Sequence, residues 1–492
     1  MKKYILAIDQ GTTSTRAILF DKDQNIVNMA QKECVVYYPK PGWVEQDANE
    51  IWLSTLAVIS EVIMKSAISP SDIVGIGISN QRETTVLWDK KTGLPIYRAI
   101  VWQSRQSEKI CQRWKAMGYE AMVRDKTGLR IDPYFSASKI RWIFDKIERC
   151  EEKAKHNELL FGTIDSWLVW KLSGGKSHIT DVSNASRTML FNIHDGCWDD
   201  ELLESFQIPK SLLPTIMPTS YSYTKTDPAF FFNAHIPICA VVGDQQAALF
   251  GQGCFQQGMV KNTYGTGGFM LMNTGNNVVT SQHGLLSTVA WKINDEITYA
   301  LEGSIFVSGS LMKWMRDGLQ LYHNTKETEN MAFSVEDNCG VYIVPAFVGL
   351  GAPYWNEKCR ASIVGLTFGV NKNHLVRAAL ESMAYQSRDV LEAMMEDAKV
   401  KISSLKVDGG AAANNFLLQF QSDLLQCDVD RFTMNELTAF GAASLAALAC
   451  GFWKKEELKT ALDHRFQPMR EQKEMERYYQ QWKKAVACCA QF

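Results

Sequence analysis

The sequence lacks any long apolar run. No stretch approaches the ~18 consecutive apolar residues that a membrane-spanning helix needs. The apolar run that follows Met1-Lys2-Lys3 is broken at Asp9, which is too early for the apolar segment of a signal peptide. We therefore expect a cytoplasmic protein without membrane insertion.

The sequence also lacks an excess of charge of one sign. Its 52 basic and 54 acidic residues leave a net charge of -2, so the composition predicts no surface for nucleic acid. The twelve cysteines form no CxxC motif and no Cys/His pair at the spacing of metal ligands. We expect them to be reduced and mostly buried thiols.

Three common nucleotide-binding signatures are missing as well. The chain contains no GxxxxGK[ST] motif, which excludes a P-loop, and no GxGxxG follows a predicted strand. The HRD and DFG motifs of protein kinases are also absent. A nucleotide site in this protein must therefore be built from other residues.

The length and the periodicity of the sequence predict a two-domain α/β protein. The 492 residues exceed the roughly 250 to 300 that one hydrophobic core serves, and Ile/Val-rich runs alternate with segments of helical period. The stretch from Gly251 to Gly258 has few large aliphatic residues and several glycines. We place the boundary there, which gives domains 1–252 and 253–492, and the similar openings of the two halves weakly suggest a duplicated fold.

The clearest predicted elements are five buried strands and three helices. The strands cover residues 4–8, 73–78, 236–242, 341–347 and 405–407. One helix follows Asp47, which can cap it, and Glu50 completes a capping box three residues later. The other two helices cover about 373–397 and 437–450.

The first chemically informative segment is the turn Asp9–Ser14, which separates two apolar runs. A hairpin at this position exposes backbone N–H groups and three hydroxyl groups, and both kinds of donor suit phosphate oxygens. Gly11 lets the backbone approach a ligand closely. Arg16 can neutralise charge on a phosphoryl group, and Asp9 can hold a magnesium ion directly or through water. An ordinary polar turn is the alternative.

Recurrence of similar turns favours the phosphate interpretation. Residues 261–269 again place Thr and Gly between extended segments, and residues 405–416 run from a strand through a glycine pair into a helix. A further buried strand delivers Asp244 and Gln245 to the start of a helix. Open α/β sheets bind their ligands at such strand ends, although helix capping is an alternative role for Asp244.

A second group of residues predicts a pocket for a small molecule. Arg82 and Glu83 directly follow the strand that ends at residue 78, and together they can donate to and accept from neighbouring hydroxyl groups. Trp102, Tyr134 and Phe269 could supply apolar walls. The alternatives are a solvated surface ion pair for the charged residues and core packing for the aromatic ones.

Together these segments resemble the FGGY carbohydrate kinases, and among them the enzymes that act on glycerol. The resemblance runs from near residue 4 to about residue 485 and includes DQGTTSTR, SNQRETT, NASRTMLFNIH, GDQQAALFGQ and VDGGAAANNFLLQFQSDLL. It implies an actin/hexokinase-like (ribonuclease H-like) ATPase fold of two α/β domains, with ATP, Mg²⁺ and substrate in the interdomain cleft. The implied reaction phosphorylates a terminal hydroxyl of glycerol, giving glycerol 3-phosphate and ADP for glycerol uptake and catabolism. Family members are commonly homodimers or homotetramers.

The resemblance also implies roles for individual residues. Asp244 would be the general base, and Asp9 and Asp244 would serve the metal. The residues that would contact glycerol are Arg82, Glu83, Trp102, Tyr134, Asp244, Gln245 and Phe269. The residues that would contact the nucleotide are Thr12, Thr13, Ser14, Arg16, Thr266, Gly309, Lys313, Gly410 and Asn414. Lys313 departs from the family pattern, in which we expect Gln.

Two other functions remain open at the level of sequence. The protein could phosphorylate another small polyol or sugar of the same family. From a different class, the same ATPase core could serve as a polymer or a chaperone, which would keep the phosphate-binding turns without a polyol pocket.

Overall fold

The computed structural model describes residues 2–458 and 461–491. Its strands, in chain order, are β1 Tyr4–Gln10, β2 Ser14–Phe20, β3 Ile26–Glu33, β4 Glu45–Gln46, β5 Ile73–Asn80, β6 Val86–Asp89, β7 Ala99–Ile100, β8 Leu159–Gly162, β9 Ile179–Asp181, β10 Phe191–Asn192, β11 Cys197–Trp198, β12 Thr215–Met217, β13 Ser220–Lys225, β14 Pro237–Gly243, β15 Val260–Tyr264, β16 Gly268–Gly275, β17 Leu286–Ile293, β18 Glu296–Ile305, β19 Tyr342–Val344, β20 Ser362–Val364, β21 Ser404–Gly409, β22 Asp428–Phe432 and β23 Leu462–Phe466.

The α-helices are α1 Ala48–Ser66, α2 Glu108–Ala116, α3 Glu120–Thr127, α4 Ser136–Lys146, α5 Cys150–Lys155, α6 Ile164–Leu172, α7 Val182–Ala185, α8 Asp200–Phe206, α9 Asp244–Gly251, α10 Gly309–Asp317, α11 Glu327–Phe333, α12 Lys372–Ala398, α13 Asn415–Leu425, α14 Leu437–Ala449 and α15 Gln472–Cys489. None of the helices among the described residues is long and apolar enough to cross a membrane.

A 13-stranded sheet runs through the described part of the chain, in the order β23-β22-β21-β15-β16-β18-β17-β13-β14-β5-β1-β2-β3. In its first half, β1 is antiparallel to β2 and parallel to β5, and β5 is parallel to β14. The second half repeats this arrangement, because β15 is antiparallel to β16 and parallel to β21, and β21 is parallel to β22. The repeat is the duplication that the sequence suggested only weakly, and the actin/hexokinase-like α/β fold is confirmed.

Helices cover both faces of the first half of the sheet. Alternate residues of β1 enter two different apolar cores, with Leu6 and Ile8 facing α1 and α6, and Ile5 and Ala7 facing α9 and α14. Side chains alternate across a strand, so a strand that is covered on both faces reads as a continuous apolar run. This is why Tyr4–Ile8 carried so clear a strand signal.

Helix α14 lies unusually close to the sheet. A side chain at Gly77 on β5 would collide with the carbonyl of Ala442, and one at Gly441 would collide with the carbonyl of Ala247 on α9. The Ala-rich composition of α14 and its glycine therefore reflect close packing between backbones. The helix belongs to the second half of the chain but packs against strands of the first.

Some local predictions were wrong. The predicted strand 341–347 is reduced to β19, which pairs with β20 outside the large sheet. Asp47 caps α1 by accepting from the amide of Asn49, but Glu50 accepts from the Tyr37 hydroxyl instead of completing a capping box. The cysteines are free thiols, of which half are buried and the rest are partly or fully exposed.

Candidate active site

The ends of parallel strands bring the predicted site residues together. Strands β1, β5 and β14 run in the same direction and therefore end at one edge of the sheet. Asp9 lies at the end of β1, Arg82 and Glu83 follow β5, and Asp244 follows β14 as the first residue of α9. These four side chains, which come from three distant segments of the sequence, consequently lie together at that edge.

Arg82 lies at the centre of a buried network of charges. Its guanidinium donates to both carboxylate oxygens of Glu302, and it donates to the Tyr134 hydroxyl at 3.2 Å. Its Nε lies 3.4 Å from a carboxylate oxygen of Asp244. Arg82 and Glu83 are only 3% and 1% exposed, so the alternative of a solvated surface pair is wrong.

Arg187 completes this network. It donates to Glu83 at 2.6 Å and to Glu302 at 2.8 Å, so two buried arginines face two buried glutamates. Burial alone would raise the pKa of Glu302, but Arg187 and Arg82 lower it to about 2. The pairing satisfies most of a set of charges whose isolation from water would otherwise be very costly.

The sequence prediction missed both Arg187 and Glu302. Arg187 lies in the NASRTMLFNIH motif, which was noted without a role for its arginine. Glu302 lies on the otherwise apolar central part of β18, and a fully buried carboxylate in such a strand is rare without a partner. That contrast was the available signal. Only the folded chain shows that its partners are Arg82, which follows β5, and Arg187, which follows α7.

Glu83 adopts a backbone conformation that is uncommon for a residue with a side chain. Its φ is 60°, in the left-handed region. Its carbonyl accepts hydrogen bonds from the hydroxyls of Ser136 and Thr85, both at 3.1 Å, and from the Lys139 amine at 3.3 Å. Lys139 also donates to the carbonyl of Tyr134, so one buried lysine holds the backbone of two predicted site residues.

The three aromatic side chains that were predicted to form apolar walls lie in contact with one another, with Trp102 between Tyr134 and Phe269. The Trp102 ring lies 5.6 Å from the Tyr134 ring and 6.0 Å from the Phe269 ring, and both contacts are edge-to-face. All three are half-buried, which leaves part of each ring free to contact a ligand. The Trp102 indole N–H donates to the Thr12 hydroxyl at 2.9 Å, which ties this wall to the turn after β1.

Asp244 has the position that the sequence predicted, whereas Gln245 is turned aside. Asp244 accepts from the amide of Gln245 at 2.7 Å and keeps 29% of its side chain exposed. The Gln245 side-chain carbonyl accepts from Lys261. The next residue, Gln246, accepts from Arg82 at 3.3 Å and so reinforces the buried network. The predicted contact of Gln245 with glycerol stays a prediction.

Both Asp9 and Asp244 have a raised pKa, and the charge of Asp244 contributes to the rise at Asp9. Burial, and to a lesser degree the charges of Asp244 and Glu436, raise the pKa of Asp9 to about 7 against the opposing effect of Arg16. Burial also raises the pKa of Asp244, against the opposing charges of Arg82 and Lys261. A cation between them would relieve this repulsion, because carboxylate oxygens are the ligands that Mg²⁺ prefers.

The predicted hairpin at residues 9–14 is present, with Asp9 paired to Arg16 across β1 and β2. Among residues 2–458 and 461–491, no group accepts a hydrogen bond from the backbone amides of Thr12 or Thr13. The Thr12 hydroxyl itself is engaged by Trp102 and Gln81. The turn therefore offers backbone donors together with the exposed Thr13 and the half-buried Ser14.

Arg16 reaches over the same turn. Its guanidinium lies 3.2 Å from Glu436 and 3.8 Å from Asp9, and its Nε donates to Gln31 at 3.0 Å. Glu436 directly precedes α14, so this ion pair joins the first half of the chain to the second. The sequence prediction did not include Glu436.

The turns of the second half lie at the corresponding strand ends in the second half of the large sheet. Thr266 follows β15, and Gly410 follows β21, which is parallel to β15. Gly309 starts α10 and donates from its amide to the carbonyl of Gly265 at 3.0 Å. Lys313 lies one turn further along α10 and is exposed. Asn414 caps α13 by accepting from the amide of Leu417 at 3.0 Å.

Comparison with known proteins places these features in a family. The N-terminal domain of the FGGY family of carbohydrate kinases matches residues 4–251, and the C-terminal domain of that family matches residues 260–450. Proteins named glycerol kinase from Bacillus licheniformis and Bacillus subtilis (strain 168) are each 57% identical over 495 residues, which covers 100% of both chains.

Solved structures agree with this assignment. Glycerol kinase of Plasmodium falciparum, solved with ADP, superposes with a TM-score of 0.94 at 35% identity, covering 99% of this chain and 98% of that one. Gluconate kinase from Lactobacillus acidophilus is 21% identical with a TM-score of 0.89, covering 100% and 99%, and that likeness concerns the fold alone. The chain belongs to the FGGY family of carbohydrate kinases.

Proposed function

We propose that this protein transfers the γ-phosphoryl group of ATP to a terminal hydroxyl of glycerol, giving sn-glycerol 3-phosphate and ADP. The observation that carries the proposal is the position of the Asp244 carboxylate. It lies 3.4 Å from Arg82, whose guanidinium also donates to the hydroxyl of Tyr134, and it is close enough to Asp9 to affect the pKa of Asp9. Full-length identity of 57% to proteins named glycerol kinase supports it.

The polar and apolar parts of the pocket match a small polyol. Arg82 donates hydrogen bonds, while Glu83 and Asp244 accept them, so together they can bind adjacent hydroxyl groups. The aromatic wall faces the carbon side of the substrate. Because these polar groups are buried and held by other residues, a substrate that fails to pair with them leaves them unsatisfied, which is a strong basis for selectivity.

Asp244 acts as the general base in this proposal. A substrate hydroxyl is a weak nucleophile, and a carboxylate within hydrogen-bond reach can accept its proton as the bond to phosphorus forms. Burial raises the pKa of Asp244, which makes it a stronger base than an exposed aspartate. The charge of Arg82 limits this rise.

The turns of both halves hold the nucleotide. In the first half, the amides of Thr12 and Thr13, the Ser14 hydroxyl and Arg16 contact phosphate oxygens. The second half contributes Thr266, Gly309, Gly410 and Asn414, and the exposed Lys313 adds a positive charge at longer range. Phosphoryl transfer depends mainly on alignment and charge neutralisation, which backbone amides and Arg16 can supply without moving.

Asp9 and Asp244 fit a magnesium ion that arrives with ATP. The residues that the structure describes contain no cluster of three or more His, Cys, Asp or Glu side chains suited to a metal. Mg²⁺ is usually held by one or two carboxylates together with phosphate oxygens and water, which agrees with a site of two aspartates. When bound, the ion would neutralise charge on the transferring phosphate.

A coupled ADP-release assay tests the proposal directly. Glycerol should give the highest kcat/KM among glycerol, dihydroxyacetone, xylulose and gluconate, and the activity should disappear in Asp244→Asn, which controls for contaminating enzymes. Highest activity on a five- or six-carbon substrate would instead identify a kinase of another polyol or sugar. ADP release that is independent of any polyol would favour an ATPase that acts on protein partners.

We further propose domains 1–252 and 253–492 around the cleft, a cytoplasmic location and assembly as a homodimer or homotetramer. Large apolar side chains on one stretch of the second half support assembly, because Val348, Leu366 and Phe368 are 65%, 59% and 112% exposed. Size-exclusion chromatography with light scattering measures the assembly. A monomer at all concentrations would contradict it.

A further inference from the structure

Two pairs of cysteines lie in contact although their members are far apart in sequence. Cys239 contacts Cys450, and Cys359 contacts Cys489, each pair being close enough for a hydrogen bond between the two sulfurs. Neither pair takes part in the candidate active site. The pairs differ in access to solvent, because Cys450 is exposed whereas Cys359 and Cys489 are both buried.

The Cys239–Cys450 contact results from the close packing of α14 on the sheet. Both sulfurs lie 3.4 Å from the position that a Cβ would take on Gly75, so the missing side chain on β5 leaves room for them. The register of β14 against β5 shifts between Ile238 and Ala240, and such a shift changes the direction of the intervening side chain. Cys239 consequently faces α14, and Cys450 directly follows the end of that helix.

We infer that Cys239 and Cys450 form an oxidation-sensitive thiol pair that closes to a disulfide when a peroxide reaches Cys450, the exposed residue of the two. The contact between the sulfurs, the exposure of Cys450 and the burial of Cys239 carry this inference. It does not depend on the proposed kinase function.

The chemistry proceeds in two steps with hydrogen peroxide as the oxidant. The Cys450 thiolate attacks one oxygen, the O–O bond breaks, and a sulfenic acid and hydroxide form. The Cys239 sulfur then attacks the Cys450 sulfur, an S–S bond forms, and the S–O bond breaks. The two hydroxide ions, one from each step, combine with the two thiol protons to give two molecules of water. Overall, two thiols are oxidised by two electrons and one peroxide is reduced.

The surroundings of Cys450 favour the first step. A hydrogen bond from Cys239, together with backbone hydrogen bonds and the charge of Lys22, lowers the pKa of Cys450 despite its partial burial. The thiolate is the form that reacts. By contrast, burial and the neighbouring Cys489 raise the pKa of Cys359. The Cys359–Cys489 pair is therefore a control in which two cysteines are in contact but neither is exposed to peroxide.

The test uses the full-length, reduced protein treated with hydrogen peroxide under native conditions. After digestion without reductant, mass spectrometry should find a linked peptide that contains Cys239 and Cys450, with the loss of two of the twelve free thiols. Oxidised protein should also show a higher Tm, because the cross-link restricts the unfolded chain. Both effects should be absent in Cys450→Ser and unchanged in Cys489→Ser.

Two results would overturn the inference. One is a Cys450 that becomes oxidised or alkylated at the rate of the exposed Cys488 without forming a linked peptide. The other is a link that appears only in denaturant. Because Cys239→Ser alters a buried position, circular dichroism must first show that this variant keeps its native structure. In the folded variant the oxidation should stop at a sulfenic acid on Cys450, which dimedone labelling detects.

Discussion

The two sides of the cleft are built by different means. On the side of Arg82 and Glu83, the proposed ligand contacts come from charged side chains that are almost completely buried and fixed by other side chains. On the side of Thr13, Thr266 and Gly410, they come from turns in which backbone groups and partly exposed side chains predominate. The first arrangement suits recognition of a particular small molecule, and the second suits phosphate, which every nucleotide carries.

This difference has an energetic consequence. A buried ion network is costly to leave incomplete, since removal of one partner strands the other charge away from water. An exposed charge near a turn is hydrated and screened by salt, so its loss changes binding only slightly. We therefore expect substitutions on the polyol side to affect both stability and catalysis, and those on the nucleotide side to affect ATP binding alone.

The largest effect is expected from Asp244, which lies between the polyol side and the nucleotide side of the proposed site. Asp244→Asn removes the proton acceptor but preserves the shape of the side chain, so kcat should fall by about 10² to 10⁴-fold. Binding of ATP, measured by isothermal titration calorimetry, should persist. Asp125→Asn, an exposed aspartate with 66% of its side chain accessible, serves as the control. Near-normal turnover of Asp244→Asn would show that another group accepts the proton.

The next largest effect tests the buried network. Glu302→Gln removes the counter-charge that Arg82 and Arg187 share, and it should lower the free energy of unfolding by about 3 to 5 kcal/mol. Urea unfolding followed by circular dichroism measures this change. Glu296→Gln lies on the same strand but is exposed, so it should have almost no effect. Equal losses in the two variants would contradict the role of the network.

A smaller effect is expected at Lys139, which supports the pocket without facing it. Lys139→Met removes the hydrogen bonds to the carbonyls of Glu83 and Tyr134. We expect the KM for glycerol to rise by roughly tenfold, which corresponds to the free energy of about one hydrogen bond that holds the pocket in place. The KM for ATP should stay unchanged, and a rise in both would indicate a general structural defect.

The pH dependence of the free energy of unfolding tests the shifted pKa of Lys139. Burial lowers the pKa of this amine from 10.5 to about 7. Above that pH the unfolded chain binds a proton that the folded chain does not, so the contribution of Lys139 to the free energy of unfolding increases with pH. The difference between wild type and Lys139→Met should thus grow by about 1 to 2 kcal/mol from pH 7 to pH 9. Parallel pH profiles would contradict the shifted pKa.

The same contrast between the two sides explains what the sequence could predict. Turns such as Asp9–Ser14 are contiguous in sequence, and their glycines and small hydroxyl residues are visible without a structure, so the turns themselves were largely predictable. Strand ends also helped, because Asp244 and Arg82 follow runs with unambiguous strand patterns. The fold followed from the length and from the alternation of strands and helices.

Residues that act through tertiary contacts were not predictable in this way. Glu302 meets Arg82 across 220 positions and Arg187 across 115, and no local pattern encodes such a pairing. The contacts of Gln245 with Lys261 and of Gln246 with Arg82 depend on the rotation of α9, which packing decides. The Thr12 hydroxyl was predicted to bind phosphate, but the adjacent Trp102 engages it, which only the folded chain reveals.

The smallest expected effect lies on the nucleotide side, at Lys313. This lysine is exposed on α10, one turn after Gly309, so its charge can attract ATP only through water and dissolved ions. Lys313→Gln should raise the KM for ATP by about two- to threefold at low ionic strength, and the difference should vanish in high salt. Lys326→Gln, at another exposed position, is the matched control and should leave the KM for ATP unchanged at both ionic strengths. A large loss that persists in high salt would mean that Lys313 binds the nucleotide directly, and the nucleotide side would then depend on a specific side chain as the polyol side does.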